Sequence, residues 1–314
     1  MVPFASTVRL KFRYPVAIIG IIVGTFVWWI GTTLLYSSDT ITKDTFRFLT
    51  RFQLNDPNPL RAFASMFSHA NFWHWFGNML FLWIFGTALE DRLGPRKFLA
   101  LFLISGVGAL AIFWLFYFVN NLGGPYPDDT YLGASGAISG IMGLSARRFP
   151  KAKVVLGLDF NITSRILSLK VPMLWFVLYS LGKDVYRTFD GDGVAHMAHI
   201  GGFLAGFVIA SRLKFEKEGE AEILTDQAQE LYDRGWYPQA LERYDRLVVL
   251  DIRDGKFQEM RARCLYKLWP ANGRPRDTQR AQLLDALERC LKLYRESKQD
   301  EAAWRLYHDL YVVS

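Results

Sequence analysis

Apolar residues run almost unbroken through residues 15–36, 73–89, 98–119, 171–186 and 194–210, and a shorter run rich in small residues occupies 135–146. As helices rising about 1.5 Å per residue, the first five approach or exceed the span of a hydrocarbon core about 30 Å thick. The sixth covers only about 18 Å. It predicts a helix that runs from the basic pair Arg147-Arg148 at one surface and begins well below the other. The polar segment feeding it, residues 120–132, must dip into the membrane, which is tolerated where protein or a water-filled cavity satisfies the backbone. After Phe215 apolar positions recur at helical spacing among many charges. The pattern therefore predicts an all-α chain, with a polytopic bundle of six transmembrane helices over residues 1–214 and a small soluble helical domain over 215–314.

Charge orients the bundle. Arg9, Lys11 and Arg13 precede the first span, and Arg92, Arg96 and Lys97 join the second to the third. Arg147, Arg148, Lys151, Lys153, Arg165 and Lys170 join the fourth to the fifth, and Arg212, Lys214 and Lys217 follow the last. All these fall on one side. The alternate connections are poorer in net positive charge, because Asp128 and Asp129 have no cation nearby and Lys183 and Arg187 are offset by Asp184, Asp190 and Asp192. The positive-inside rule then places both termini in the cytoplasm and the loop before Ser135 outside, in a multi-pass protein of a bacterial inner membrane. This topology accounts for the net charge of +7, so no nucleic-acid partner is implied. The first span is too long for a signal-peptide core and lacks a small-residue cleavage site, which makes it a retained anchor. Cys264 and Cys290 fall in the cytoplasmic part, where thiols stay reduced.

The candidate chemistry lies in polar residues within apolar segments. Ser135 follows Gly133-Ala134 and opens the short helix, where Gly136, Gly140 and Gly143 form a small-residue stripe. Alone this reads first as helix packing, and Ala137 breaks the nucleophile-elbow pattern of soluble hydrolases. Four of the five histidines, His69, His74, His196 and His199, sit in or beside apolar segments, where ionisable groups are costly. His199 shares a helix face with Gly202 and Gly206, so that face can press on the glycine stripe and bring an imidazole to Ser135. His74 and Asn78 lie one turn apart on the second span, and an amide there suits an oxyanion better than lipid. No Asp or Glu occurs at 69–89, 135–146 or 194–210, so a third, acidic partner is not expected. The residues predict a Ser-His dyad, His199 taking the proton of Ser135, with the Ser135 N–H, His74 and Asn78 holding the oxyanion.

His74-x-x-x-Asn78, Gly133-x-Ser135-Gly136 and Ala198-His199-x-x-Gly202-x-x-x-Gly206 together resemble the rhomboid intramembrane serine proteases in identity, order and span placement. The resemblance extends over about residues 9–212, with His69 five residues before His74, Glu90, Arg92 and Gly94 after the second span, and Arg61 in the large first loop. Leu60 stands where the family often has Trp. It implies a rhomboid-like bundle with Ser135 as nucleophile, His199 as base and His74 with Asn78 as oxyanion donors, cleaving transmembrane protein substrates within the lipid bilayer without a cofactor. Gly133, Gly136, Gly202, Gly206 and His69 are supporting residues, and His196 takes a flanking place. One departure is Ser139, where some members put a tyrosine whose ring packs on the base. The amphipathic loop 37–68 suits an element lying in the membrane interface.

In the soluble part, Ala228, Leu231 and Tyr232, then Gly235, Tyr237, Ala240, Leu241, Tyr244, Leu247 and Leu250 describe two amphipathic helices around a tight turn. They resemble a tetratricopeptide helix pair. A second pair is expected at 257–269 and 280–294 with a last helix at 301–313, making a binding module for a cytoplasmic protein partner. Plain helical packing is the alternative there, and His308 has no catalytic neighbour. Two other functions stay open for the whole chain: a non-catalytic rhomboid-like membrane adaptor, and a membrane metal protein ligated by His69, His74, His196 and His199.

Overall fold

The computed structural model describes residues 2–6, 14–54, 56, 58–120, 130–131, 133–157, 168–188, 195–250, 255–268, 277–296, 299, 301 and 305. The chain divides into two compact units, Met1–Glu216 and Lys217–Ser314. The first carries strand β1 (Val2–Ser6), helices α1 (Val16–Ser37) and α2 (Lys43–Thr50), strand β2 (Phe52–Gln53), and helices α3 (Pro59–Ser65), α4 (Phe72–Leu93) and α5 (Pro95–Asn120). It continues through strand β3 (Thr130–Tyr131), helix α6 (Ser135–Arg148), strands β4 (Lys153–Gly157) and β5 (Ser168–Pro172), and helices α7 (Met173–Arg187) and α8 (His196–Arg212).

Six helices, α1 and α4 to α8, make the bundle. By length and composition alone, α1 and α5 qualify as membrane spans among the described residues. Helices α6, α7 and α8 have 14, 15 and 17 residues, and α4 is diluted by Glu90, Asp91 and Arg92 in its last turn. Val27, Ile104, Val107 and Val208 point outward from the bundle, as lipid-facing positions do. Its core is built from Leu82 and Phe85 of α4, Phe98 and Phe102 of α5, and Ile138 and Ile141 of α6.

Helix α6 is the hub, with eleven of its 14 residues buried. Glycine makes this possible: a methyl group at Gly202 or Gly206 of α8 would run into the carbonyl oxygen of Gly136 or Gly140 of α6. On its opposite flank Ser145 Oγ donates to the Phe85 carbonyl of α4 at 2.6 Å. At the far end of α4, the buried Glu90 caps a different helix. Its carboxylate accepts the Ala17 and Ile18 amides at 2.8 and 3.0 Å, so α1, which begins after Pro15 without a cap of its own, has its first donors satisfied by a negative charge.

The 37–68 loop is folded. Phe52 and Leu54 pack with Ala109, Leu110 and Phe113 of α5 and Ala198 of α8, and Arg61 bonds Gln53, pairs with Asp56 at 3.1 Å and lies over the Phe48 ring. Strand β2 pairs antiparallel with β3. The chain is all-α as expected, with one small addition: β1, β4 and β5 form a three-stranded antiparallel sheet in the order β1-β4-β5. Lys153 pairs with Pro172 and Gly157 with Ser168, while β1 carries an irregularity between Pro3 and Ala5. Residues 153–157, KVVLG, are rich in β-branched side chains.

The second unit holds α9 (Phe215–Asp233, beginning just before the boundary), α10 (Tyr237–Val249), α11 (Gly255–Lys267) and α12 (Asp277–Glu296). Gly235, at φ +78°, makes the turn between α9 and α10. Ala228, Ala240, Tyr244, Leu247 and Cys264 form one buried cluster, and Leu283, Ala286, Leu287, Cys290 and Tyr294 a second. Of the helix expected at 301–313 only residues 301 and 305 are described, and His308 lies outside the described residues.

Candidate active site

Ser135 is the first residue of α6. The turn before it depends on Gly133, whose φ of +115° is strained for any L side chain and whose amide donates to the Ser65 carbonyl at 2.9 Å. A Cβ on Gly133 would also lie 3.0 Å from the His74 ring. Glycine thus seats the serine at the positive end of its own helix, directly beside α4.

From α8, His199 Nε2 meets Ser135 Oγ at 2.9 Å. Its Nδ1 lies 3.3 Å from Asp184 Oδ2, while Asp184 Oδ1 is 2.7 Å from Nδ1 of His196. One buried carboxylate near the end of α7 is therefore shared by both histidines. This corrects the expectation of no acidic partner. The spans carrying the other site residues hold no carboxylate, and Asp184 lies between Lys183 and Arg187, where charge balance suggests an outer connection. The last turns of α7 pack beside the start of α8, turning Asp184 inward. The carboxylate also supplies what Ser139 does not, a group that fixes the orientation of His199.

The α4 residues arrive on the opposite side. Asn71 caps α4 by accepting the His74 amide at 2.9 Å, which fixes where the helix starts. His74 Nδ1 accepts the Ala70 amide at 3.4 Å, so Nε2 carries the proton and faces Gly133 as a donor. Asn78 Nδ2 is buried with no hydrogen-bond partner and would lie 3.7 Å from a Cβ on Gly133. An unspent amide donor in such a place costs stability unless something comes to accept from it. His69 is buried one step back, its ring 5.2 Å from that of His74. Gly202 and Gly206 set the close approach of α8 to α6, against the carbonyls of Gly136 and Gly140.

These groups line a cavity of about 340 Å³ between α4, α6, α7 and α8. Ser135, His74, Asn78, Asp184, His196 and His199 supply polar atoms, Ile138, Met142, Val177 and Phe203 the apolar walls, and Lys183 and Arg187 the cationic part of the lining. A ligand set of His69, His74, His196 and His199 is not assembled, since His69 pairs with His74 and His196 with His199 across the site. The group of potential metal ligands that does converge among the described residues is Asp184, His196 and His199.

Residues 57–214, half of the chain, match the family model of the rhomboid domain. The chain belongs to the rhomboid family. It is 37% identical over 114 residues to the mitochondrial Rhomboid protein 1 of Saccharomyces cerevisiae, covering 35% of this chain and 32% of the relative. It is 31% identical over 156 residues to the Rhomboid protease AarA of Providencia stuartii, covering 46% and 53%, and 26% identical over 212 residues to the Rhomboid protease GluP of Bacillus subtilis, covering 58% and 37%. The match thus spans from about a third to about half the length of these relatives. As a rhomboid the chain is an integral membrane protein with a helical bundle. Its relatives include mitochondrial, chloroplast and bacterial proteins, so the expected bacterial inner membrane is not supported by them. The family match ends at residue 214 and does not support the tetratricopeptide resemblance of the tail, whose helices stand on the structure alone.

Proposed function

We propose that this rhomboid is a serine endopeptidase that hydrolyses peptide bonds in or next to transmembrane segments of other membrane proteins. The observation that carries the reading is the 2.9 Å approach of His199 Nε2 to Ser135 Oγ inside a cavity that also holds the unpaired Asn78 amide. His199 removes the hydroxyl proton as Ser135 Oγ attacks the scissile carbonyl carbon. Negative charge gathers on the carbonyl oxygen, and the Ser135 N–H at the α6 terminus, His74 Nε2–H and Asn78 Nδ2–H receive it. As the tetrahedral adduct collapses, His199 returns the proton to the leaving amine, and a water activated the same way releases the acyl group. Asp184 accepts the Nδ1 proton of His199, keeping the Nε2 lone pair on the serine and favouring the imidazolium. No cofactor enters.

A substrate helix must unwind to offer an extended bond to Ser135, so segments with Gly, Pro or other weak helix formers near the interface are preferred. Residues 1–214 form the catalytic membrane domain and 215–314 a cytoplasmic module that holds a protein partner, with both termini on the cytoplasmic side. A fluorophosphonate probe should label the wild-type protein and not Ser135→Ala, and wild type alone should cleave a model transmembrane substrate. Cleavage retained by Ser135→Ala or by His199→Ala refutes the mechanism, and a folded wild type that neither labels nor cleaves makes the chain a non-catalytic adaptor.

A further inference from the structure

The proposed hydrolysis uses Ser135, His199 and the carboxylate of Asp184, but leaves His196 without a chemical task. His196 is buried, its Nδ1 aimed at the same carboxylate as that of the base. His196, His199 and Asp184 each offer a ligand atom, the three within 4.8 Å of one another, and Nδ1 of each histidine faces the Asp184 carboxylate, at 2.7 and 3.3 Å. Tetrahedral ligands about 2.1 Å from a zinc ion sit about 3.4 Å apart, so adjustments on the order of 1 Å would bring three ligands onto one ion. All three residues line the cavity, which leaves a fourth position open to water. Two imidazoles and a carboxylate suit a borderline divalent cation such as zinc better than calcium or magnesium, which take oxygen ligands.

We infer that Asp184, His196 and His199 form a divalent-cation site that switches the hydrolytic centre off, an inference that rests on the serine-protease reading for its effect but not for its binding. The consequence follows from which nitrogen is taken. A neutral imidazole ligated through Nδ1 carries its proton on Nε2. His199 Nε2 would then donate to Ser135 Oγ instead of accepting from it, and the serine would lose its base without any change of fold. With the site empty, Asp184 accepts the Nδ1 proton and the opposite tautomer is held, the one the reaction needs. One carboxylate thereby selects the active tautomer when it faces protons and the inactive one when it shares a metal.

Binding and effect are measured apart. Full-length Ser135→Ala, which keeps all three ligands, is titrated with zinc by calorimetry and with cobalt by its visible absorption. One ion per chain with a four-coordinate cobalt spectrum is expected, and His196→Gln in the same background should weaken binding by at least about tenfold. Gln can still donate to Asp184, so its fold is preserved, and equal melting temperatures check this. On the active protein, zinc should lower cleavage of the model substrate and a chelator should restore it, while His196→Gln, read against its own zinc-free rate, should be insensitive. Absence of a bound ion in Ser135→Ala, or equal zinc inhibition with and without His196, overturns the inference. If the ion binds but the wild-type chain cleaves nothing, the metal site stands and the protease reading fails.

Discussion

Asp184→Asn isolates the part of the mechanism that the fold adds to a serine and a histidine. The substitution keeps the size of the side chain, removes the negative charge and replaces one of the two acceptor oxygens with an amide donor. When His199 becomes imidazolium in the transition state, that charge sits 3.3 Å from its Nδ1. At an effective dielectric constant of about 20, two unit charges at this distance attract by about 5 kcal/mol. The hydration that both groups give up cancels part of that, leaving roughly the 1.5–3 kcal/mol typical of a hydrogen bond to a charged group. Since the attraction exists only when His199 is protonated, it belongs to the transition state and should appear in kcat, not KM. The expected loss is about 10- to 150-fold in kcat. The long 3.3 Å contact and the sharing of Asp184 with His196 point to the lower half of that range. The assay is cleavage of a model transmembrane substrate in liposomes over a range of substrate mole fractions, with thermal melting alongside. A variant that melts like wild type and keeps kcat within about twofold would refute the carboxylate's role and return the centre to a dyad.

Four further outcomes follow from the same structure. Asn78→Ala should lower kcat by about 10²- to 10³-fold without shifting the melting temperature, the typical cost of one oxyanion donor; equal slowing that tracks a collapse in melting would make Asn78 structural. Gly206→Ala places a methyl group on the Gly140 carbonyl, so it should destabilise the protein by about 1–3 kcal/mol in denaturation and reduce cleavage as α6 and α8 are forced apart; a stable, fully active variant would contradict the packing. In the soluble unit, burial and the nearby Asp245 raise the Cys264 thiol to about 12, so alkylation at pH 8 should be slow until the domain unfolds. A thiol pKa raised above its unfolded value of 9.0 adds stability below pH 9 that is lost as pH climbs toward 12, and a melting temperature flat across that window would be inconsistent with it. Finally, ending the chain after Glu216 should leave turnover of a short substrate within a few-fold of wild type while cleavage of a partner held by the tail falls; loss of all activity in a folded truncation would show that the units are coupled.

The bundle and most of its site were legible because membrane burial makes polar residues conspicuous. Ser135, His74, Asn78 and His199 stand out against apolar surroundings, and glycines at helical spacing announce which faces meet. Asp184 was hidden by its neighbours. Next to Lys183 and Arg187 it looks like part of a charge-balanced loop, and only the packing of the α7 end beside α8 shows that it faces inward. The β1-β4-β5 sheet was illegible for another reason: its strands are five residues each, and β1 finds its partner about 150 residues away in sequence, which periodicity does not report. The tail's helices were readable from their amphipathic spacing, whereas assignment to a particular repeat needed more regularity than residues 257–294 possess.

The proposed catalytic groups are carried by elements of unequal attachment. Ser135 and His199 stand on α6 and α8, locked backbone to backbone through glycine, whereas Asp184 rides on α7, where only Met173, Val177 and Asp184 are buried along 15 residues. A displacement of α7 outward would therefore withdraw the carboxylate and leave the serine and its base in register. The proposed nucleophile and base are fixed by their packing, and the carboxylate beside them is detachable. Whatever occupies the space beside α7, lipid or substrate, would thus act as a throttle on the proposed base, and a cross-link pinning α7 to α4 would hold that throttle open.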